Sequence, residues 1–179
     1  MKKALRITLW TVGALFFIGI INFSPMISLK TFGMREYTSN GIKVYAEPKD
    51  KAEVERIASR IAHQSRAVVE ALSSESSGEV DVIIYPDRKA LHIKTIGFAG
   101  MLLPDWFIGD NTKKYVLITS PAAPGPSHTR ESIEQAAVHE YVHVITDRRN
   151  KQLGYWLKEG IALYLAGQKP KTSAVRIHR

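Results

Sequence analysis

The 179-residue sequence has no cysteine. That absence removes disulfides and thiolate metal sites together, so a transition metal would have to be held by histidine and carboxylate alone. It leaves an oxidising compartment permitted but not indicated. No internal repeat recurs along the chain. Acidic residues are missing from both ends: residues 1–30 carry Lys2, Lys3, Arg6 and Lys30, and residues 168–179 carry Lys169, Lys171, Arg176 and Arg179, with no Asp or Glu in either stretch. The formal charge of +8 is therefore entirely terminal, and residues 31–167 hold 17 basic and 17 acidic side chains. A neutral body lacks the phosphate-neutralising face that nucleic-acid binding requires, which argues against nucleic acid as a partner. A composition of 45% apolar and 9% aromatic residues argues equally against disorder and suits one core.

Charge is also missing from residues 7–23, ITLWTVGALFFIGIINF, and the uncharged run extends to residue 29. At about 1.5 Å per residue such a helix spans a hydrocarbon core of roughly 30 Å. Lys2, Lys3 and Arg6 precede it, so the positive-inside tendency puts the N-terminus in the cytoplasm and the rest outside. The expectation is a single-pass cell-membrane protein with its domain extracytoplasmic. The competing reading is a cleaved secretory signal, for which Thr31-Phe32-Gly33 is the available small-x-small site, although it lies far from the apolar run. Both readings export residues 31–167, and both leave residues 168–179 as a basic tail, either solvated or resting on anionic headgroups.

Within the exported part, residues 36–46 carry an Asn-Gly dipeptide followed by alternating Ile42, Val44 and Ala46, the pattern of a hairpin. Residues 48–72 change period: Val54, Ile57, Ala58, Ile61, Ser65, Val68 and Leu72 recur at three and four, which predicts a long amphipathic helix. Residues 73–78 read as a loop, 79–85 as a strand, 87–94 as a short helix, and 115–119 as another strand. Thr129 or Ser132 caps a helix running to Thr146, Asp147 to Gly154 breaks it, and residues 155–167 form the last helix. Strands alternating with helices around a hairpin predict an α+β fold, a small mixed β-sheet packed with helices.

His139-Glu140-Tyr141-Val142-His143 is an HExxH motif inside a segment already helical by its other residues. Spacing of four leaves the two histidines about 40° apart on one face, one turn apart, so both imidazoles can share an ion. Glu140 projects about 60° from His143, where it reaches a water on that ion more readily than the ion itself, the position of a general base. A catalytic site of the two-histidine kind needs a third protein ligand. Glu159, in WLKEGIALYL, stands between Trp156, Ala162 and Leu163, a carboxylate on an apolar face that calls for a cation. Gly160 beside it removes a side chain and would let the two helices approach closely.

HEYVH followed by WLKEGIA resembles the gluzincin metallopeptidases, and among them the peptidase MA-like domains. The resemblance is specific for residues 134–164. It implies a zincin-like fold, Zn2+ held by His139, His143 and Glu159, and hydrolysis of a peptide or protein substrate with Glu140 as base. It also implies an edge strand before the active helix along which an extended substrate lies, a role that falls to residues 115–119. Longer gluzincins continue into a helical subdomain that walls the cleft. Here twenty residues follow Glu159, with Tyr164 and His178 the only Tyr and His among them. That departure leaves open a shallow cleft, a dimer that completes the site, a truncated chain, or a domain without activity.

Plainer readings stand beside these. The competing class is a non-catalytic membrane-anchored zincin-like module that binds or regulates a partner. Glu159 has a salt bridge to Lys158 or Arg148 as its alternative role. Asp147 reads either as a carboxylate orienting an imidazole or as a solvated helix end. His63 is expected in solvent beside Arg60 and Arg66, and His92 and His128 in short or loop segments, with His128 near the cleft. Core packing is the default for Phe98, Trp106 and Phe107, and a substrate site or a membrane-facing loop is the alternative.

Overall fold

The computed structural model describes residues 2–72, 78–102, 104 and 106–168. The loop around residues 73–77, the tail from 169 and His178 lie outside them. The first element is the apolar helix α1, Lys2–Phe23, whose side chains Leu9, Trp10, Phe16 and Phe17 are all more than half exposed. It is long and apolar enough to cross a membrane, as an anchor or as a signal sequence. A 3-10 turn, Ser24–Ile27, follows it.

The predicted hairpin forms from β1, Arg35–Ser39, and β2, Ile42–Ala46. Asn40 and Gly41 lie at φ 49° and 77°, the left-handed pair that a two-residue hairpin turn demands and that Asn-Gly adopts at least cost. Pro48–Asp50 makes one 3-10 turn before α2, Lys51–Ala71. The strand β3, Asp81–Tyr85, is buried at every position, as a parallel strand covered on both faces must be. Asp87 accepts from the Ala90 amide at 2.9 Å and opens α3, Arg88–Ile96. A further 3-10 turn, Phe98–Leu102, precedes the short strand β4, Gly109–Asn111, and then β5, Tyr115–Thr119. Two helices follow, α4, Arg130–Arg149, and α5, Tyr155–Leu165.

The fold is α+β, with a mixed five-stranded sheet in the order β1-β2-β3-β5-β4. The central pairs β2–β3 and β3–β5 are parallel and the outer pairs antiparallel. Alternation along the strands splits the core in two. Val44, Val82, Ile84, Val116 and Ile118 meet α2 and α4 on one face, together with Ala162 and Ala166 from the α5 segment. Tyr45, Ile83, Tyr85 and Leu117 meet Leu91 of α3 on the other, with Leu29, Met34 and Phe107 against them.

Two expectations change. The helix α4 runs to Arg149 rather than stopping at Thr146, since Arg148 and Arg149 in its last turn complement the helix dipole. The strand β4 is an element that the sequence pattern does not predict. Gly-Asp-Asn has turn propensity, and it becomes a strand because β5 offers it a ladder from Val116 to Ile118. In consequence β5 is an interior strand, paired on both sides, and the edge beside α4 belongs to β4.

Candidate metal centre

The helix α4 is made to be rigid. Thr129 and Ser132 satisfy each other's backbone amides at its start, at 3.1 and 3.0 Å, which closes the first turn. Ile133, Ala137, Val138, Val142, Val144 and Ile145 are fully buried, so the helix is packed by the sheet, α2 and α5 over most of its circumference. The polar strip His139, Glu140 and His143 is the exception. It faces β4 and α5.

The Nε2 atoms of His139 and His143 are 3.0 Å apart, with side chains 13% and 11% exposed. Glu159 enters from α5: its Oε2 lies 3.5 Å from His139 Nε2 and its Oε1 3.3 Å from His143 Nε2. The three side chains form a group able to hold a metal ion. These separations bear on the fit, because donors bonded tetrahedrally to zinc at about 2.0–2.1 Å stand about 3.3 Å from one another. Lone pairs facing at such distances repel unless a proton or a cation lies among them. Burial holds both imidazoles below the usual histidine pKa, against the partial pull of the Glu159 charge, and so favours neutral, metal-binding rings over protonation. Imidazole and carboxylate donors without sulfur suit zinc as well as iron, nickel and copper.

Glu140 stands outside this donor group and next to it. Burial pushes its carboxyl up to about 8, with the Asp110 and Glu159 charges acting in the same direction and a hydrogen bond from Asn111 opposing. That bond runs from Asn111 Nδ2 to Glu140 Oε2 at 2.8 Å and fixes one carboxylate oxygen. A Cβ on Gly109 would lie 3.1 Å from Glu140 Cγ, so the glycine lets β4 come close to the acid. Two cavities flank the strip and share His139 and Glu140. One of about 630 Å³ is lined by Trp106, Ile108, His128, Ala136 and Leu163. The other, of about 470 Å³, is lined by Asn111, Tyr155, Lys158 and Glu159.

Lys158 pairs with Asp147 at 2.5 Å, and Arg148 donates to the carbonyls of Lys113 and Glu79, so Glu159 faces the two imidazoles rather than either cation. Asp147 accordingly joins α4 to α5 as an ion pair. His63 is exposed as expected, and His128 lines the larger cavity. His92 is buried, its ring lying 3.1 Å from the Gly100 carbonyl and 2.7 Å from that of Phe107.

Other expectations need correction. Gly160 is exposed and a Cβ there would meet nothing within 4 Å, so Ala162, fully buried, is what brings α5 onto α4. Trp156 is 85% exposed and does not form an apolar face around Glu159. Phe98 and Trp106, expected in the core, are 41% and 67% exposed, and only Phe107 packs inward. Asn111 and Asp110 were not singled out from sequence, since a Gly-Asp-Asn triplet carries no signal beyond a turn. Comparison with known proteins returns no match: no family model, no curated protein and no solved structure is matched by this chain.

Proposed function

We propose that the chain is a membrane-anchored zinc metallopeptidase of the gluzincin type, with a zincin-like fold, α1 as its uncleaved anchor and its domain outside the cytoplasm. The observation that carries this reading is the convergence of His139, His143 and Glu159 from two helices, with a separate carboxylate, Glu140, beside them. A purely structural site has no use for the fourth group. When bound, zinc supplies Lewis-acid activation of a water and of the scissile carbonyl.

The chain's own residues supply the rest. His139, His143 and Glu159 would hold the metal. Glu140 takes a proton from the attacking water and passes it to the departing amine, and no covalent intermediate forms on the protein. Asn111 keeps one oxygen of Glu140 engaged so that the other is free to receive that proton. The strand β4 is at the sheet edge and directly beside Glu140, so an extended peptide can add to it through main-chain hydrogen bonds, with its side chains falling into the two cavities.

Two measurements test the proposal together: metal content of the purified full-length protein, and hydrolysis of a mixed peptide library by it. The expected result is one zinc per chain and cleavage that Glu140→Ala abolishes while metal content stays the same. Stoichiometric zinc with no cleavage, and no effect of Glu140→Ala on any property, would favour the non-catalytic module; no zinc at all would remove both.

A further inference from the structure

The end of α1 is bonded to the catalytic domain. Asn22, the one amide side chain in the apolar run, accepts from the Ala99 amide at 2.8 Å and donates to the Ile96 carbonyl at 3.5 Å. Gly97, at φ 85°, permits this seat, since a Cβ there would lie 2.2 Å from the Asn22 carbonyl oxygen. Lys94 donates to the carbonyls of Pro25 and Ser28 at 3.1 and 2.8 Å, and the Tyr85 hydroxyl donates to that of Leu29 at 2.7 Å. The domain is thus fixed to the helix end rather than swinging from it.

Depth follows from length. Fifteen rises of about 1.5 Å separate Ile7 from Asn22, about 22 Å of a hydrocarbon core roughly 30 Å thick. With Ile7 at the cytoplasmic edge of the core, Asn22 and the turn bonded to it lie within the outer leaflet, about 8 Å below its outer boundary. The turn is built for such a place. Phe98 is 41% exposed, Met101 56%, Leu102 88% and Trp106 67%. Part of its polar backbone is tied internally: Gly97 N donates to Ile93 O at 3.0 Å and Gly100 N to Gly97 O at 2.9 Å, and the His92 ring stands within hydrogen-bond distance of the carbonyls of Gly100 and Phe107, one of which a neutral ring serves. Each such bond lowers the cost of placing non-helical backbone at membrane depth.

We propose that the face formed by Phe98, Met101, Leu102 and Trp106 docks into the outer leaflet of the bilayer that holds α1, and that the cleft therefore takes polypeptide presented at the membrane surface. Trp106 belongs both to this face and to the walls of the two cavities, which puts the cleft mouth next to the lipid. The docking rests on α1 being an anchor, and the substrate class rests also on the hydrolase reading.

The absence of cysteine makes a clean test possible, with the full-length chain in nanodiscs and one thiol at a time carrying an environment-sensitive fluorophore. Leu15→Cys in α1 tests the anchor, Leu102→Cys tests the face, and Ala67→Cys on the exposed side of α2, across the sheet from α3, is the reference. The label at 102 is expected to shift to the blue and to lose emission to a nitroxide placed just below the headgroups, and the label at 15 to one near the acyl ends, with 67 insensitive to both. Quenching at 15 without quenching at 102 overturns the docking and spares the anchor, including the case in which a second copy shields residue 102 from water and lipid alike; quenching at neither overturns both. For the substrate class, a peptide library tethered to lipid in the same nanodiscs should be cut faster than the free library, and Leu102→Asp should remove that advantage without slowing the free library. Equal rates in the native chain refute it, and cleavage of neither library removes the hydrolase reading on which it rests.

Discussion

Replacing Glu159 by Gln keeps the shape of the side chain and removes its charge from a position 3.3 and 3.5 Å from two imidazole nitrogens. The outcome can be worked as linkage. With free zinc at about one hundred times the dissociation constant, binding stabilises the folded chain by about 2.7 kcal/mol. For a chain of this size each kcal/mol moves the melting temperature by about 2–4 °C, so zinc should raise it by about 5–11 °C. Loss of a group that merely supports a ligand weakens metal binding by about 10–100-fold, and loss of a ligand itself should cost at least the upper figure. At the same zinc concentration Glu159→Gln would then sit near its dissociation constant and gain only about 0.4 kcal/mol, a shift of about 1–2 °C. The assay is thermal unfolding of chelator-treated protein titrated with zinc. An equal zinc-induced shift in the native chain and in Glu159→Gln would refute the assignment of Glu159 as a ligand, whatever activity the variant retains.

Other expectations are open to similar tests. Glu140→Gln should keep the full zinc-induced rise in melting temperature and lower kcat by about 10²–10⁴-fold, the usual worth of a positioned general base. Asn111→Ala removes the hydrogen bond that favours ionised Glu140, so the Glu140 pKa should rise and the acidic limb of the rate profile should move to higher pH; a limb that stays in place would separate Asn111 from the base. Lys158→Met breaks the ion pair to Asp147, and with Lys158 only 19% exposed it should cost up to about 1 kcal/mol of stability and weaken zinc binding about tenfold, readable by competition with a chelating dye. Chelation should speed amide exchange in α5 and leave α2 and β3 protected; uniform protection with and without metal would count against a metal-ordered α5.

How much was legible in the sequence depends on where the information lies. Local chemistry was readable. Asn40-Gly41 names its own turn, Val54 to Val68 names its own period, and the four-residue spacing of His139 and His143 is a property of any helix. Glu159 was found because a carboxylate among apolar neighbours needs a reason, although Trp156, one of those neighbours, is exposed. What failed was pairing and exposure. Nothing in Gly109-Asp110-Asn111 says strand until β5 is placed beside it, and without β4 the edge passes to the wrong element. Gly160 was read as a contact glycine because it adjoins Glu159, but a residue next to an inward position on a helix points about 100° away from it. Phe98 and Trp106 show a third limit: an apolar side chain left exposed and one facing a core have the same composition.

The two halves of the candidate centre are held by different forces. His139, Glu140 and His143 ride on a helix whose buried side chains fix it against the sheet, so their positions follow from packing. Glu159 rides on an eleven-residue helix in which Ala162 is the one buried residue, and Tyr155, Trp156, Leu157 and Tyr164 face outward. A helix that short has little stability of its own. Its position against α4 rests on Ala162 and Ala166 in the core, with Ile161 and Leu165 against them, and on the Asp147–Lys158 pair, to which a metal shared with Glu159 would add. A metal bound by all three side chains would be linked to the docking of α5, each favouring the other by the same free energy.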